Sequence, residues 1–435
     1  MNRGKFALLS LSACLLATVA EAQEPETKQA DKQQVEEQQI EQLQHETAAL
    51  EKEVDRLKRF KISGYIQAQY QHGQEDASLD VGEESNEADR GGFNRMGIRR
   101  GRLKLAYEGA VTSGVFQIDI TEKGVQVKDA YFNLQDPWIR TLGFRAGIFN
   151  RPFGFEIGNS SSRREAPERS TVFRTLFPDE RDFGGMLVVQ APQSSPWSVL
   201  RLEAGLFAGN GVNLDTDNKK DFIGHLSAFK DFGTIALGGG FSYYHGQVYQ
   251  GSSEVYRMRG DRFVLYNSES NVGRYAKRQY FGFDLEFSLT SALGETDLSV
   301  EYLFGQQPAA EGNTTQSPNY DKRPTSPTYI REFNGGYAML VQSLGRLPVA
   351  VVAKYDWYNP NTQVKGDQIG APDSHTGIAD LAVNTFGFGA LWDIGKSVRL
   401  TAYYELKYNE KTKYLAGYER DRKDDVFTLR LQYKF

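Results

Sequence analysis

Cysteine is almost missing: the 435-residue chain has one, Cys14, inside an N-terminal segment that reads as a cleaved signal. A mature chain cut after Ala22 has no thiol, so disulfide scaffolds and cysteine-based metal or redox chemistry are excluded. No stretch after that segment approaches the ~20 apolar residues of a membrane-crossing helix, which rules out a helical membrane protein. Histidine is sparse and scattered, at His45, His72, His225, His245 and His375, with no metal-ligand spacing. There is no G-x-S-x-G and no comparable pairing of nucleophile with base, so neither an enzyme nor a cofactor or metal site is expected. A net charge of -5, spread along the chain, leaves no basic footprint for nucleic acid.

What is present starts with Arg3 and Lys5, an apolar run from Phe6 to Ala20, and the small-residue exit Ala20-Glu21-Ala22. This predicts a secretory signal peptide over 1–22. Leu11-Ser12-Ala13-Cys14 also has the form of a lipoprotein box, so lipidation of Cys14 is an open alternative, although the apolar run continues past it. Residues 23–34 are polar and read as a flexible linker. Ile40, Leu43, Thr47, Leu50, Val54 and Leu57 then recur at alternating steps of three and four, which predicts a coiled-coil helix over 35–60. The seam is short, so a solvated single helix is the alternative.

After Lys61 the apolar period changes to two and stays there to the last residue. Phe427, Leu429, Leu431, Tyr433 and Phe435 alternate with Thr428, Arg430, Gln432 and Lys434, giving one greasy face and one wet face. Such runs occur near 61-71, 97-108, 114-121, 125-134, 142-150, 184-191, 197-208, 222-230, 234-247, 277-290, 296-306, 329-343, 347-358, 380-393, 397-409 and 423-435. Short and long connections alternate between them, with 122-124 the exception. The pattern predicts an all-β fold: a 16-stranded antiparallel transmembrane β-barrel over 61–435, closed because an open sheet edge in lipid leaves backbone groups unpaired. The apolar face would meet lipid and the polar face a water-filled lumen. Aromatics at strand ends, Tyr107, Tyr131, Trp138, Trp357, Tyr358, Trp392, Tyr433 and Phe435, suit interfacial girdles. A large soluble all-β protein is the alternative, disfavoured because no internal repeat is found.

Several stretches now look familiar: Gly147-Ile-Phe-Asn-Arg-Pro-Phe-Gly-Phe-Glu156, Glu168-Arg-Ser170, Arg181-Asp-Phe-Gly-Gly185, Gly205-Leu-Phe-Ala-Gly-Asn-Gly211 and Asp217-Asn-Lys-Lys-Asp221. With Arg99-Arg-Gly-Arg-Leu-Lys-Leu105 and Asp129-Ala-Tyr-Phe-Asn133, the ordered set resembles the phosphate-selective porins O and P over 61–435. The resemblance implies a trimeric porin whose third external loop folds into the pore and whose basic residues conduct anions. Loop 151-183 is third among the long-rim connections by position alone. It carries Arg163, Arg164, Arg169, Arg174 and Arg181, but also Glu156, Glu165, Glu168, Asp179, Glu180 and Asp182. Such balance fits ion pairs that pin the loop as well as it fits an anion path.

On the second strand Arg100, Arg102 and Lys104 share the lumen face, and Arg145 on the fifth extends the arc. Asp119 and Asp129 on neighbouring strands are the partners that could neutralise it. The expected function is therefore an outer-membrane channel for small anions, with phosphate or polyphosphate as possible solutes. The expected partners are outer-membrane lipid, lipopolysaccharide and two further copies in a homotrimer, with the coiled coil in the periplasm. A structural or adhesive barrel tethered through that coiled coil is the competing reading.

Overall fold

The computed structural model describes residues 26–83, 92–313 and 322–435. The expected signal peptide and Cys14 lie outside the described residues. Two units separate, one ending at Arg59 and one running from Phe60 to Phe435. The first contains α1 (Glu26–Lys58), so residues 26–34, expected as linker, are helical. Its seam residues Ile40, Leu43, Leu50, Val54 and Leu57 are all exposed.

The second unit is one closed antiparallel barrel of 16 strands. They are β1 (Phe60–Gly73), β2 (Phe93–Glu108), β3 (Thr112–Thr121), β4 (Gly124–Gln135), β5 (Leu142–Asn150), β6 (Arg181–Gln190), β7 (Leu200–Phe207) and β8 (Asp221–Asp231). There follow β9 (Ile235–Tyr249), β10 (Tyr275–Ser291), β11 (Gly294–Ala309), β12 (Thr328–Ser343), β13 (Val349–Asn359), β14 (Val383–Ile394), β15 (Val398–Asn409) and β16 (Val426–Lys434). Each expected strand is present. Closure is made by β1 against β16 in register from Tyr65↔Lys434 to Gly73↔Val426, which leaves no free edge. Gly64 and Phe435 extend it with reciprocal backbone bonds of 3.1 and 3.0 Å.

The outward rows are apolar and exposed: Leu105, Phe116, Phe132, Phe144, Leu187, Leu206, Phe222, Leu226, Phe283, Leu285, Phe386 and Leu431 are representative. The inward rows hold the polar residues, with Gln67, Gln69, Arg100, Arg102, Asp119, Arg278, Lys354 and Arg430 all buried. That is the reverse of a soluble barrel.

Four features depart from the simple alternating pattern. A hairpin, Glu254–Arg259 with Arg262–Asn267, stands in the connection between β9 and β10 and adds to the sheet by a short parallel pairing with β12. Tyr131 and Tyr358, expected in the outer girdles, face inward: Tyr358 is 4% exposed in the interior cluster and Tyr131 packs against that cluster. Lys434, expected on the lumen face, pairs with inward Tyr65 and is exposed at the end of its strand, where the row runs out of the polar interior.

The fourth departure is a pair of β-bulges. The β1–β2 register passes from Gln67↔Arg100 to Ala68↔Ile98 and leaves Arg99 over. The β3–β4 register passes from Gln117↔Asp129 to Ile118↔Val127 and leaves Lys128 over. An extra residue lets two successive side chains turn to one face. Arg99 joins Arg100, and Lys128 joins Asp129, on the inner side.

Candidate functional site

The connection between β5 and β6, residues 151–180, is folded against the inner wall. Its Phe153, Ile157, Val172, Phe173, Leu176 and Phe177 are all 0–1% exposed. They pack on inward aromatics of β9–β12, Tyr244, Tyr280, Phe333 and Tyr337, with the Phe177 and Tyr280 rings edge-on at 5.8 Å. Burying aromatic surface on one side only would leave the loop free to swing, and polar contacts on several other strands prevent this.

Glu301 of β11 accepts the backbone N–H groups of Phe155 (2.9 Å) and Glu156 (2.6 Å) and the Tyr337 hydroxyl (2.8 Å). Gly154 precedes them at φ 63°, and a side chain there would collide with the Glu301 carboxylate, so glycine is required twice over. Lys354 of β13 bonds Glu156 at 2.7 Å, and Asp356 accepts the Thr171 N–H at 3.0 Å. On the closing strands, Tyr65 meets Ser161 at 2.5 Å and Arg430 donates to the Pro167 carbonyl at 2.7 Å.

Between this loop and β2–β4 a polar cavity of about 200 Å³ stays open. Its basic lining is Arg99, Arg100, Arg102 and Lys128 from the wall, with Arg164, Arg169 and Arg174 from the loop; Asp119, Glu168, Asp179 and Glu180 are its acids. Most cations have a partner. Glu168 takes Arg99 (3.0 Å), Arg100 (2.7 Å) and Arg430 (2.7 Å) together. Burial pushes the Glu168 carboxyl up, but the three guanidiniums outweigh it and hold it well below the usual range. Arg102 pairs with Asp119 at 3.2 Å, Lys128 with Asp179 at 3.1 Å, Arg174 with Asp80 at 2.9 Å, and Arg169 with Glu180.

Arg164 differs. It is 8% exposed, and none of its three guanidinium nitrogens has a hydrogen-bond partner among the described residues. Burial and the charge of Arg100 push its guanidinium down from the usual arginine range. An unpaired buried cation costs several kcal/mol, roughly, unless water or an anion solvates it.

Of the nine residues singled out from sequence, Arg100, Arg102, Arg164, Arg169 and Arg174 are brought together here. Lys104 is half-buried and outside the lining. Arg145 lies in a separate pocket near the β2–β3 turn, bonded to Asn133 at 2.7 Å and stacked 4.7 Å from the Tyr131 ring. Arg163 is exposed, and its backbone carbonyl accepts from Arg399. Arg181 is bound to Asp129 at 3.1 Å and to Glu180 at 2.6 Å. Asp129 is therefore taken by Arg181, and the second strand is balanced by Asp119 alone of the two expected acids.

Sequence reasoning passed over Arg99 and Lys128 as site residues, because strict alternation sends both outward and only the bulges bring them in. The signal available was two adjacent charged residues, Arg99-Arg100 and Lys128-Asp129, which lipid does not tolerate on the outer face.

No protein-family model and no curated protein sequence matches the chain. Solved structures do. The anion-selective porin from Comamonas acidovorans aligns at TM-score 0.51 and 10% identity, over 86% of this chain and 99% of that one. Salmonella typhi OmpF, in complex with daunomycin, gives 0.52 and 9% over 86% and 97%, and Pseudomonas putida OprB gives 0.54 and 8% over 88% and 96%. At such identities the likeness is one of fold, and the fold is that of outer-membrane porin barrels.

Proposed function

We propose that the chain is an outer-membrane porin: a passive, water-filled and anion-preferring channel rather than an enzyme, with small anions, phosphate among them, as solutes. Buried Arg164, without a hydrogen-bond partner among the described residues, carries this reading, because a bare guanidinium beside a cavity of about 200 Å³ is stable only where water or a passing anion attends it. The paired arginines around it set a positive background without gripping a solute. The apolar outer rows suit outer-membrane lipid, with lipopolysaccharide on the long-loop side. A homotrimer, with α1 forming a periplasmic coiled coil through Ile40, Leu43, Leu50, Val54 and Leu57, completes the assembly we propose.

The test is the zero-current potential of the full chain in a planar bilayer under a potassium chloride gradient. The reading expects anion preference, reduced about two- to fivefold by Arg164→Gln, the effect of one charge across a partly aqueous pore. Cation preference, or no conductance, would overturn it.

A further inference from the structure

The outer wall is not uniformly smooth. On β12–β16 the outward residues Leu340, Ala353, Phe388, Tyr404 and Phe427 stand side by side in one cross-strand row. The next row toward the short turns includes Val351, Ala390 and Ala402. Three alanines thus sit between larger neighbours, and the wall there has a recess of about 470 Å³ lined almost wholly by carbon. Phe388 (51%), Leu340 (46%) and Val351 (43%) stay exposed around it, so none of the described residues fills it.

Past the end of the recess the surface is mixed, with exposed Leu344, Leu347 and Ile394 beside charged residues. Trp392, 48% exposed, pairs with Val349 at the rim. Beyond it come the turn at 344–348 and the turn at 395–397. They are held as neighbours by the Asp393 N–H donating to the Pro348 carbonyl at 2.8 Å. Each turn presents one exposed cation, Arg346 and Lys396, and neither has an ion-pair partner among the described residues. Asp393, the nearest acid in sequence to Lys396, is held by Arg399 at 2.7 Å.

The vertical spacing decides what fits. Ala353 is five residues from Pro348, about 17 Å along a strand and about 12 Å along the barrel axis at the usual tilt. Half the hydrocarbon thickness of a bilayer is about 15 Å. With the two turns set at the headgroup level, Ala353 lies near the inner end of one leaflet's acyl chains and Ala390 and Ala402, one row nearer the turns, lie at about mid-chain.

We propose that this recess is a binding site for one anionic phospholipid, with an acyl chain on Ala353, Ala390 and Ala402 and its phosphate between Arg346 and Lys396. The site rests on the proposed reading of the chain as a membrane barrel and adds a ligand outside its pore. An unbranched chain fills a slot between Phe388 and Leu340 that bilayer lipid in general would fill only transiently, and the cation pair selects the headgroup.

The full chain, purified in mild detergent, would be titrated with phosphatidylglycerol and with phosphatidylcholine and weighed by native mass spectrometry. Phosphatidylglycerol is expected to stay bound at activation energies that strip phosphatidylcholine. Ala390→Phe should weaken retention roughly tenfold, the loss of about two buried methylene groups. The doubly neutralised Arg346→Gln, Lys396→Gln should bring the two lipids to parity while leaving conductance unchanged. Ala353→Phe serves as a second filling variant, and heat-dependent migration on gels reports whether each variant has folded. Equal retention by wild type and both folded filling variants overturns the proposal, as does equal retention of the two lipids by wild type. Subunit dissociation by Ala390→Phe with lipid retained overturns it too and makes the recess a contact between copies. A wild-type chain that retains the lipid but does not conduct sinks the channel reading and leaves the lipid site standing.

Discussion

The two sides of the barrel's inner wall are built for different neighbours. On β9–β12 the inward residues Tyr244, Tyr280, Phe333 and Tyr337 are aromatic and 0–2% exposed, because they meet Phe153, Phe173 and Phe177 of the loop. On β2–β4 the inward residues that meet the open cavity are Arg99, Arg100, Arg102, Asp119 and Lys128. The inner face is thus largely aromatic where the loop packs on it, and the polar groups left there, such as Glu301, are tied to the loop backbone. The loop converts part of a hydrophilic lumen into an ordinary packed core and concentrates charge in what remains.

The comparison can be broken most severely from the aromatic side. Phe177→Ala removes a ring in contact with Phe153, Phe173, Tyr244 and Tyr280, and should cost the docked loop about 3–5 kcal/mol. Single-channel recordings should then show larger and noisier conductance with weaker ion preference; quiet wild-type-sized steps would mean that the loop is held by its polar contacts alone. The charged side is next. Glu168→Gln frees Arg99, Arg100 and Arg430 at once, and should raise anion preference while loosening the loop segment 161–168. A fall in anion preference would show that Glu168 acts chiefly as scaffold.

The smallest effect sharpens the role of the bulge. Lys128→Gln leaves Asp179 unpaired at the cavity edge and should lower the anion-to-cation ratio by roughly twofold or less. The same change at Lys104, outside the lining, should alter the ratio less still; the opposite order would return the selectivity to the alternating ladder.

The strands were legible because lipid and water on opposite faces impose a strict two-residue period, and the loop was legible by its place in the order of connections. The aromatic half of the lumen was not. In β10 the alternation is legible, but Tyr280 sits in the inward row with Arg278 and Asp284, and the period alone does not say that an aromatic there meets a packed loop rather than water. The bulges at Arg99 and Lys128 escaped because a one-residue slip leaves only the adjacent charges Arg99-Arg100 and Lys128-Asp129 as its trace. The hairpin at 254–267 escaped because its strands are short and lie in a loop, although Gly260-Asp261 between alternating residues marks the turn. Which arginine is buried without a partner among the described residues was also beyond the sequence: the folded loop gives Arg169 its partners, leaves Arg163 exposed and buries Arg164.

The most direct test uses the scarcity of cysteine. With Cys14 replaced by serine, single cysteines at Arg102 and at its neighbour Leu103 would be exposed to a charged, membrane-impermeant methanethiosulfonate reagent during bilayer recording. The account predicts that current through Arg102→Cys changes on modification and that current through Leu103→Cys does not. A response at position 103 with none at 102 would contradict it.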